Sequence, residues 1–376
     1  MKGQWIGKYL RDNSISGTLV VNLDERKTNY TGAAYAYDDQ PSLPCTYVNI
    51  STQNKRSNIH IDHCQLIPIH PQTGDPTPWI QLRSLYPPSV IFADCADIDI
   101  NLSNGKLNVQ WKTNIGQNNS VELKQLQDED ESEYKPIEHV CDWKSFKDFI
   151  NKMFSDDSNN RKYIFRGQNN QKRLRTGFHR TRRADLRRFQ IEDIKMLHRQ
   201  LSQRTGHIFD LEKPEEYGAF LNLVQHHGYP TPLLDWTFSP FVGAFFAYHK
   251  TPKYDALKSK TKVRIFIFDK EAWENNFIKY IKLEAGRLHI SMLEFLAIDN
   301  QRLIPQQSIS MSTNVDDIET FIHSFENEKN KYLQVIDLPI SERNTVMNEL
   351  TQMGITAGSL FPGIEGTCEA LKEQNF

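Results

Sequence analysis

The sequence lacks several features that would place it in a specialised class of protein. Its 376 residues include five cysteines, an odd number without any C-x-x-C pair, so we expect free thiols in a reducing compartment. No apolar run reaches the ~18 residues needed to cross a bilayer, and the first residues show no signal-peptide core. These absences predict a cytoplasmic protein without membrane contact.

An excess of charge of one sign is also missing. The formal net charge is −2, which argues against a protein whose whole surface binds nucleic acid, although local basic patches are compatible with it. The length is sufficient for two domains, each with its own core.

The first 125 residues lack helical periodicity and favour strands. Alternating or β-branched runs recur between turn residues, and Asn104-Gly105 is typical of a two-residue hairpin. We therefore predict an all-β sandwich or barrel over residues 1–125, with a sensor or recruitment role. The opening residues 3–9 either begin a ligand-holding barrel or form a capping strand. The predicted strands are 16–23, 31–37, 46–50, 79–85, 98–102, 107–111 and 121–123.

Metal-ligand residue types cluster at residues 60–64. On a strand, His60 and Asp62 share one face and His63 takes the other, which leaves two ligands at best. A solvated strand edge explains the same pattern, so no metal site is predicted.

The composition changes after the β region. Five of the six residues 128–133 are acidic, which predicts a solvated acidic linker over residues 126–137. Apolar residues with helical spacing then start at Trp143, with Asp142 as the N-cap, and a second long helix is predicted over residues 184–203. We predict one α+β domain over residues 138–376.

The densest group of polar and special backbone residues lies at residues 225–247. Gly228 is suited to end a helix, Ser239 to cap the next one, and Pro240 to begin it. The second helix carries no polar side chain over its first two turns, so it is expected in the core. A polar loop between two buried elements is a common place for a pocket.

Two blocks of the sequence resemble the FRG domain family, which is named for a Phe-Arg-Gly triplet. The triplet here is Phe165-Arg166-Gly167, and the block Gln225 to Ala247 resembles the family's Gln-His-x-Gly-x-Pro-Thr-Arg-Leu-Leu-Asp-Trp-Thr string with its following apolar helix. Residues 302–308 and 353–363 resemble two further blocks, so the resemblance covers about residues 140–376. Pro232 replaces the family's usual arginine and Ser308 its usual glycine, which bears on ligand binding rather than on the fold.

The resemblance implies an activity. FRG domains distantly resemble the ADP-ribosyltransferase fold and occur in bacterial proteins linked to toxin-like or anti-phage roles. NAD would be the substrate, an unidentified macromolecule the acceptor, and a phage or host trigger would act on the N-terminal domain. The implied catalytic residues are Arg166, Thr237, Ser239 and Gln307. The implied NAD-binding residues are Arg166, Gly167, Gln168, His226, Asp235 and Thr237.

Each of these assignments has a structural alternative. Arg166 either clamps a phosphate or ribose, helped by close backbone approach at Gly167, or pairs with Asp235 beneath the loop. The hydroxyls of Thr237 and Ser239 either line the pocket or serve as turn and cap groups. Gln307 offers a hydrogen bond to a ribose hydroxyl but carries no charge to stabilise a cationic ribose. The nearby Glu294 either substitutes for it or is an exposed residue of a helix.

Two functions therefore follow from the sequence. The first is an NAD-dependent ADP-ribosyltransferase or NAD glycohydrolase acting in anti-phage defence. The second is a non-catalytic module that binds a nucleotide or a nucleic acid. Nucleic acid would use the basic residues at 172–188, which otherwise guide an anionic cofactor electrostatically or form a solvated helix face.

Overall fold

Two antiparallel sheets organise the described part of the chain. The computed structural model describes residues 1–11, 14–127, 130–155, 161–251, 261–283 and 286–375. The first sheet has eight strands and the second has six.

The eight-stranded sheet is a nearly closed barrel, which resolves the prediction of a sandwich or barrel. Its strands follow the order of the sequence, and each is antiparallel to the next. Reciprocal backbone hydrogen bonds of 2.9 Å between Ile6 and Lys124 join the first strand to the end of the last. The strands are β1 (Gly3–Arg11), β2 (Ser14–Glu25), β3 (Tyr30–Asp38), β4 (Thr46–Ser51), β5 (Asn58–Pro68), β6 (Cys95–Ser103), β7 (Lys106–Thr113) and β8 (Asn118–Leu123).

The hairpin predicted at Asn104-Gly105 is confirmed, and one predicted strand is wrong. Asn104 and Gly105 have φ values of 50° and 73°, as a two-residue turn between β6 and β7 requires. Residues 79–85 instead form the helical turn α1 (Trp79–Leu82) and a 3₁₀ turn, Arg83–Leu85. Alternation over so few residues does not distinguish a strand from one helical turn, and here the Trp79 ring stacks on Phe92 at 5.5 Å.

The six-stranded sheet forms the centre of the second half of the chain. Its strands are β9 (Tyr163–Gln168), β10 (Leu233–Thr237), β11 (Lys262–Asp269), β12 (Ile290–Leu293), β13 (Ser308–Thr313) and β14 (Leu333–Pro339). They lie in the order β12-β13-β10-β9-β11-β14, and all neighbours are antiparallel.

Helices cover this second sheet. They are α2 (Trp143–Ser155), α3 (Gly177–Arg180), α4 (Leu186–Arg188), α5 (Lys195–Leu201), α6 (Pro214–His226), α7 (Pro240–Tyr248), α8 (Lys270–Asn276), α9 (Ile318–His323), α10 (Arg343–Gln352), α11 (Ala357–Leu360) and α12 (Ile364–Asn375). The predicted single helix over residues 184–203 is divided, because a π-helical segment, Phe189–Ile194, separates α4 from α5. A 3₁₀ turn, Ile340–Glu342, precedes α10.

The predicted helix at α2 and the buried helix at α7 share one core. The Asp142 side chain accepts a 2.7 Å hydrogen bond from the backbone N–H of Ser145, as expected for an N-cap. Trp143 and Phe146 of α2 pack with Phe245 of α7 against β9, β11 and β14. This layer holds the strand that carries Arg166.

Residues 130–137 of the predicted linker run along the second sheet's domain with Asp130, Glu131 and Glu133 exposed, and residues 128–129 lie outside the described residues. The Ser132 hydroxyl donates to the Glu319 carboxylate at 2.6 Å, and Glu133 pairs with Arg173. One acidic residue of this segment, Glu133, therefore has a basic partner, Arg173, which the composition alone does not predict.

Barrel side chains also contact the second domain directly. The Gln4 side chain, on β1, donates to the carbonyl of Asn314 at 2.8 Å and accepts from the backbone N–H of Asp316 at 2.8 Å. The Asp24 carboxylate, on β2, is fully buried and accepts from Arg183 Nε at 2.7 Å and Arg188 Nη1 at 3.1 Å. These contacts join the two domains through buried polar groups.

Much of the basic block at 172–188 takes part in such pairs. Besides the two arginines on Asp24, Arg173 pairs with Asp317 at 2.6 Å and Arg175 makes a two-armed pair with Asp316. At these positions the block contains internal and interdomain contacts instead of the solvated helix face considered from the sequence.

The remaining expectations concern membrane spans, metals and thiols. None of the helices in the described ranges is both long and apolar enough to cross a bilayer. In the same ranges no three His, Cys, Asp or Glu side chains are grouped to hold a metal, and His60 hydrogen bonds to Asp99 at 2.7 Å and to Asp62 at 2.8 Å. All five cysteines are free thiols.

Candidate functional site

A cavity of about 440 Å³ lies where β9 and β10 meet the C-terminal end of α6. Most of its wall comes from three stretches that are distant in sequence, residues 165–170, 225–237 and 302–308, and Arg180, Phe246, Lys250 and Phe361 complete it. The antiparallel contact between β9 and β10, which pairs Phe165 with Thr237, brings the first two stretches together. The pairing of β10 with β13 adds the third.

Arg166 is the central cation of the cavity. It lies between Phe165 and Gly167 on β9, so its side chain leaves the opposite face of the sheet from the core-packed Phe165 ring. Its Nη1 donates to the backbone carbonyl of Asp235 at 2.6 Å, and its buried Nε makes no hydrogen bond. The structure thus places Arg166 against the Asp235 backbone, with no carboxylate partner among the described residues.

Burial makes the charge of Arg166 costly. Desolvation lowers the pKa of its guanidinium to about 10, an effect that Asp235 opposes and Arg180 reinforces. The group is still protonated at neutral pH, and Arg166 lines the cavity. Such a group favours an anionic ligand.

The Asp235 carboxylate is held by a relay of side chains. Its Oδ1 accepts a hydrogen bond from the Gln225 amide, and the Gln225 carbonyl oxygen accepts one from the Thr231 hydroxyl. Because Thr231 can only donate to that oxygen, the relay orients the amide so that its N–H₂ faces Asp235. Asp235 is therefore a positioned carboxylate, not a mobile one.

His226, the last residue of α6, lies beside this carboxylate. Its Nδ1 accepts from the Asn300 amide at 2.7 Å, so the neutral ring carries its proton on Nε2. Nε2 is buried, has no hydrogen-bond partner, and lies 3.9 Å from Asp235 Oδ2. His227 is exposed to solvent on the other side of the helix end, and Gly228 ends the helix with a φ of 86°.

The charges of the cavity are unequal. Among the described residues that line it there are four cationic side chains and one carboxylate, that of Asp235. Arg302 is held in place by a 3.0 Å hydrogen bond from its Nη1 to the carbonyl of His226. The four cationic residues are Arg166, Arg180, Lys250 and Arg302. Arg302 also pairs with Glu365 at 3.2 Å, and the lining that remains is predominantly cationic, which favours an anionic ligand.

Comparison with known protein families identifies the region that surrounds this cavity. Residues 161–256 match the family described as FRG domain. The chain contains an FRG domain. Neither the curated proteins nor the solved structures include one that matches the chain.

The matched region of the FRG domain contains two of the three cavity walls. It begins just before β9 and includes Arg166, His226 and Asp235, whereas Arg302 and Gln306 lie beyond residue 256. The sequence-predicted residues Gln168 and Thr237 also line the cavity.

The hydroxyls implied at the FRG pocket are engaged with the backbone. Thr237 Oγ1 donates to the carbonyl of Gln306 at 2.7 Å and accepts from the N–H of Ser239 at 3.0 Å. Ser239 Oγ accepts from the N–H of Val242 at 3.2 Å, so it caps α7, and Ser239 does not line the cavity. In this arrangement Thr237 shapes the wall through its backbone contacts.

The structure places Gln306 in the cavity wall and Gln307 outside the cavity. Gln307 is exposed and has a φ of 47°, a conformation that reverses the chain before β13. Gln306 is buried, and its amide donates to the carbonyl of Leu360 at 2.9 Å. Glu294, considered as a substitute, is exposed, pairs with Arg161 and lies outside the cavity.

Sequence reasoning missed several residues of this site. Gln225, Arg302 and Gln306 belong to blocks that resemble the family, so their positions carried a signal. Arg180 belongs to the basic block at 172–188, whereas Asn300 carried no signal, because its role depends on a contact with His226, which is distant in the sequence.

Gly167 supports the fold of the site by close packing on α7. A Cβ built on Gly167 would lie 2.0 Å from the carbonyl oxygen of Gly243 and 2.5 Å from the backbone N of Ala247. The close backbone approach that the sequence suggests is therefore to the helix, and its purpose is to seat α7 on β9.

We expect Gly167→Ala to lower the stability of the FRG domain by about 3 kcal/mol, because backbone atoms of a packed helix cannot make way for a methyl group. Denaturant unfolding would measure the loss. Gly177→Ala is the control, since a Cβ there meets nothing closer than 3.5 Å. Equal stability of the two variants would contradict the packing role of Gly167.

Proposed function

We propose that the FRG domain binds NAD in the cavity around Arg166 and cleaves the bond between nicotinamide and ribose. The observation that carries this proposal is the buried guanidinium of Arg166, which has no carboxylate partner in the described residues and leaves its Nε without a hydrogen bond. A desolvated cation of this kind is compensated when an anion binds. The diphosphate of NAD supplies such an anion.

The other cavity residues suit the same ligand. Arginine is the side chain best matched to phosphate oxygens, and Arg180 and Arg302 line the cavity with Arg166. Phe246 and Phe361 add apolar surface. The volume of about 440 Å³ lies within the range typical of small-ligand sites.

Asp235 is the group that we propose for the chemical step. Cleavage of the nicotinamide–ribose bond develops positive charge on the ribose, which a positioned carboxylate stabilises. Asp235 is held by Gln225, and the Nε2–H of His226 lies 3.9 Å from its second oxygen. We therefore assign the charge-stabilising role to Asp235, since Gln307 is uncharged and lies outside the cavity.

The wider role follows from the resemblance to FRG domains. We propose an ADP-ribosyltransferase or NAD glycohydrolase that acts as a toxin in bacterial anti-phage defence, with the barrel receiving the trigger. Transfer requires a macromolecular acceptor, whereas hydrolysis requires only water.

A second candidate function uses the same cavity without chemistry. In that case the FRG domain is a nucleotide-binding module, and the position of Gln307 outside the cavity and the engaged hydroxyl of Thr237 favour it. A nucleic-acid site at 172–188 has less support, because Arg173, Arg175, Arg183 and Arg188 are paired with carboxylates.

The experiment that tests the proposal follows NAD binding and nicotinamide release separately. Purified full-length protein is titrated with NAD by calorimetry and then incubated with NAD, with and without bacterial extract. We expect Asp235→Asn to retain NAD affinity within about threefold but to release nicotinamide about 10² times more slowly, since one stabilising group is removed.

Glu294→Gln is the matched control, because Glu294 is an exposed acid outside the cavity. It should leave both binding and release unchanged. Binding without release under any condition would favour the nucleotide-binding module, and absence of NAD binding would refute the proposal altogether.

A further inference from the structure

The barrel encloses a cavity of its own, of about 570 Å³, which is separate from the FRG site. Its inner wall is formed by inward-facing residues of β2, β3, β4, β6 and β7. Eight-stranded barrels are either filled by their own side chains or wide enough for one small ligand. The volume places this barrel in the second group.

Small side chains at inward positions leave the interior open. Ala34 and Ala36 on β3 face Val48 and Thr46 on β4 across the ladder, and Ala96 on β6 contributes a third methyl group. Larger side chains at these positions would fill the interior, as they do in closely packed cores. The open space is therefore encoded at specific inward positions of the strands.

Most lining residues are aliphatic or aromatic, uncharged polar side chains such as Thr113, Gln117 and Asn119 also take part, and there is little charge. The Tyr9 and Trp111 rings meet edge to face at 5.5 Å on the cavity wall. Among the described residues that line the cavity there is no lysine, arginine or histidine, and Asp38 is the one acid. An anionic ligand such as a fatty acid would have no cation to pair with, and burying its charge would be costly.

The mouth of the cavity carries apolar side chains in contact with solvent. Ile91 and Ile115 are 73% and 40% exposed, and both belong to the cavity lining. Phe92, which also lines the cavity, stacks on Trp79 of α1 at 5.5 Å. Exposed apolar residues that continue into an apolar interior provide an entry path for an apolar compound.

We propose that the barrel binds one uncharged, predominantly apolar small molecule in this cavity. The site is built from barrel residues alone, so the proposal is independent of NAD chemistry in the FRG domain. It assigns to the N-terminal domain a small-molecule ligand.

The test uses the full-length protein and the neutral dye Nile red, whose fluorescence rises in apolar surroundings. We expect saturable binding of one dye per chain. Decan-1-ol should displace the dye, and decanoate, which has the same chain length and a negative charge, should not. No saturable binding, no displacement by the alcohol, or equal displacement by both compounds would overturn the proposal.

Variants locate the dye in the cavity. Ala96→Leu and Ala34→Leu fill the interior from different strands, and each should weaken dye binding roughly tenfold or more, with a melting temperature equal to or above that of the wild type. Two positions are used so that failure of one variant to fold leaves the other informative. Ile80→Ser is the control, because Ile80 is 86% exposed and does not line the cavity. Unchanged binding in a folded filling variant would also overturn the proposal.

Discussion

Arg166→Met is expected to weaken NAD binding by roughly 10- to 100-fold, the effect of losing a charge-assisted hydrogen bond to phosphate. The melting temperature of the same variant should stay within about 2 °C of the wild type or rise. The reason is that the guanidinium is desolvated, donates one 2.6 Å hydrogen bond to the carbonyl of Asp235, and has no carboxylate partner among the described residues. Calorimetric titration and thermal unfolding measure the two effects.

Arg264→Met is the matched control for this variant. Arg264 lies on β11, the strand next to β9, and is buried, but it makes a two-armed pair with Asp337 at 2.7 and 2.8 Å. Its loss leaves a buried carboxylate unpaired and is expected to cost about 3–5 kcal/mol of stability. NAD affinity of the folded fraction should be unchanged.

The pair of variants separates the two interpretations of Arg166. A ligand-binding arginine loses affinity and keeps stability, and a structural arginine does the reverse. If Arg166→Met melts as early as Arg264→Met and still binds NAD as the wild type does, Arg166 is a structural residue and the proposed site is wrong.

Asp24→Asn is expected to have the largest effect on stability in the barrel. The Asp24 carboxylate is 0% exposed and accepts four hydrogen bonds, two from arginines and two from the backbone N–H groups of Ala184 at 2.9 Å and Asp185 at 3.2 Å. An amide removes the charge and directs N–H₂ donors at groups that are themselves donors. We expect a loss of about 3–5 kcal/mol in denaturant unfolding.

Because Asp24 lies between the two domains, the number of calorimetric unfolding transitions is a second measurement of its role. Because Asp24 belongs to β2 and its partners to the FRG side, the variant should unfold in two calorimetric transitions in place of one. Asp39→Asn is the control, since the Asp39 carboxylate is exposed and only pairs with Lys8 at 3.4 Å. Its effect should stay below about 0.5 kcal/mol. A single transition at the wild-type temperature in Asp24→Asn would exclude a role in joining the domains.

The features that the sequence predicts well depend on local backbone chemistry. The hairpin at Asn104-Gly105, the helix end at Gly228 and the Ser239 cap before Pro240 all occur as expected. Each is decided by residues within a few positions, where positive φ, a missing N–H or a short side-chain oxygen leaves few options. The strand error at 79–85 occurs where that local information is weakest.

The composition of the site, in contrast, depends on contacts between segments that are distant in the sequence. Adjacent glutamines, Gln306 and Gln307, are equivalent in the sequence, and only the positive φ at Gln307 and the contact of Gln306 with Leu360 decide which one lines the cavity. In the same way, the composition of residues 130–137 predicts a solvated acidic segment, and only the folded chain shows that Glu133 forms an ion pair with Arg173.

The sequence by itself determined the division into a β domain and a mixed domain, the blocks that resemble the FRG family and the ends of their helices. The tertiary structure alone decided that Arg166 contacts a backbone carbonyl, that α7 packs closely on Gly167, and that Arg183 and Arg188 pair with Asp24. The physical reason is the range of the interactions. Backbone propensities act over a few residues, whereas ion pairs, desolvation and cavity walls depend on which distant segments the sheets bring together.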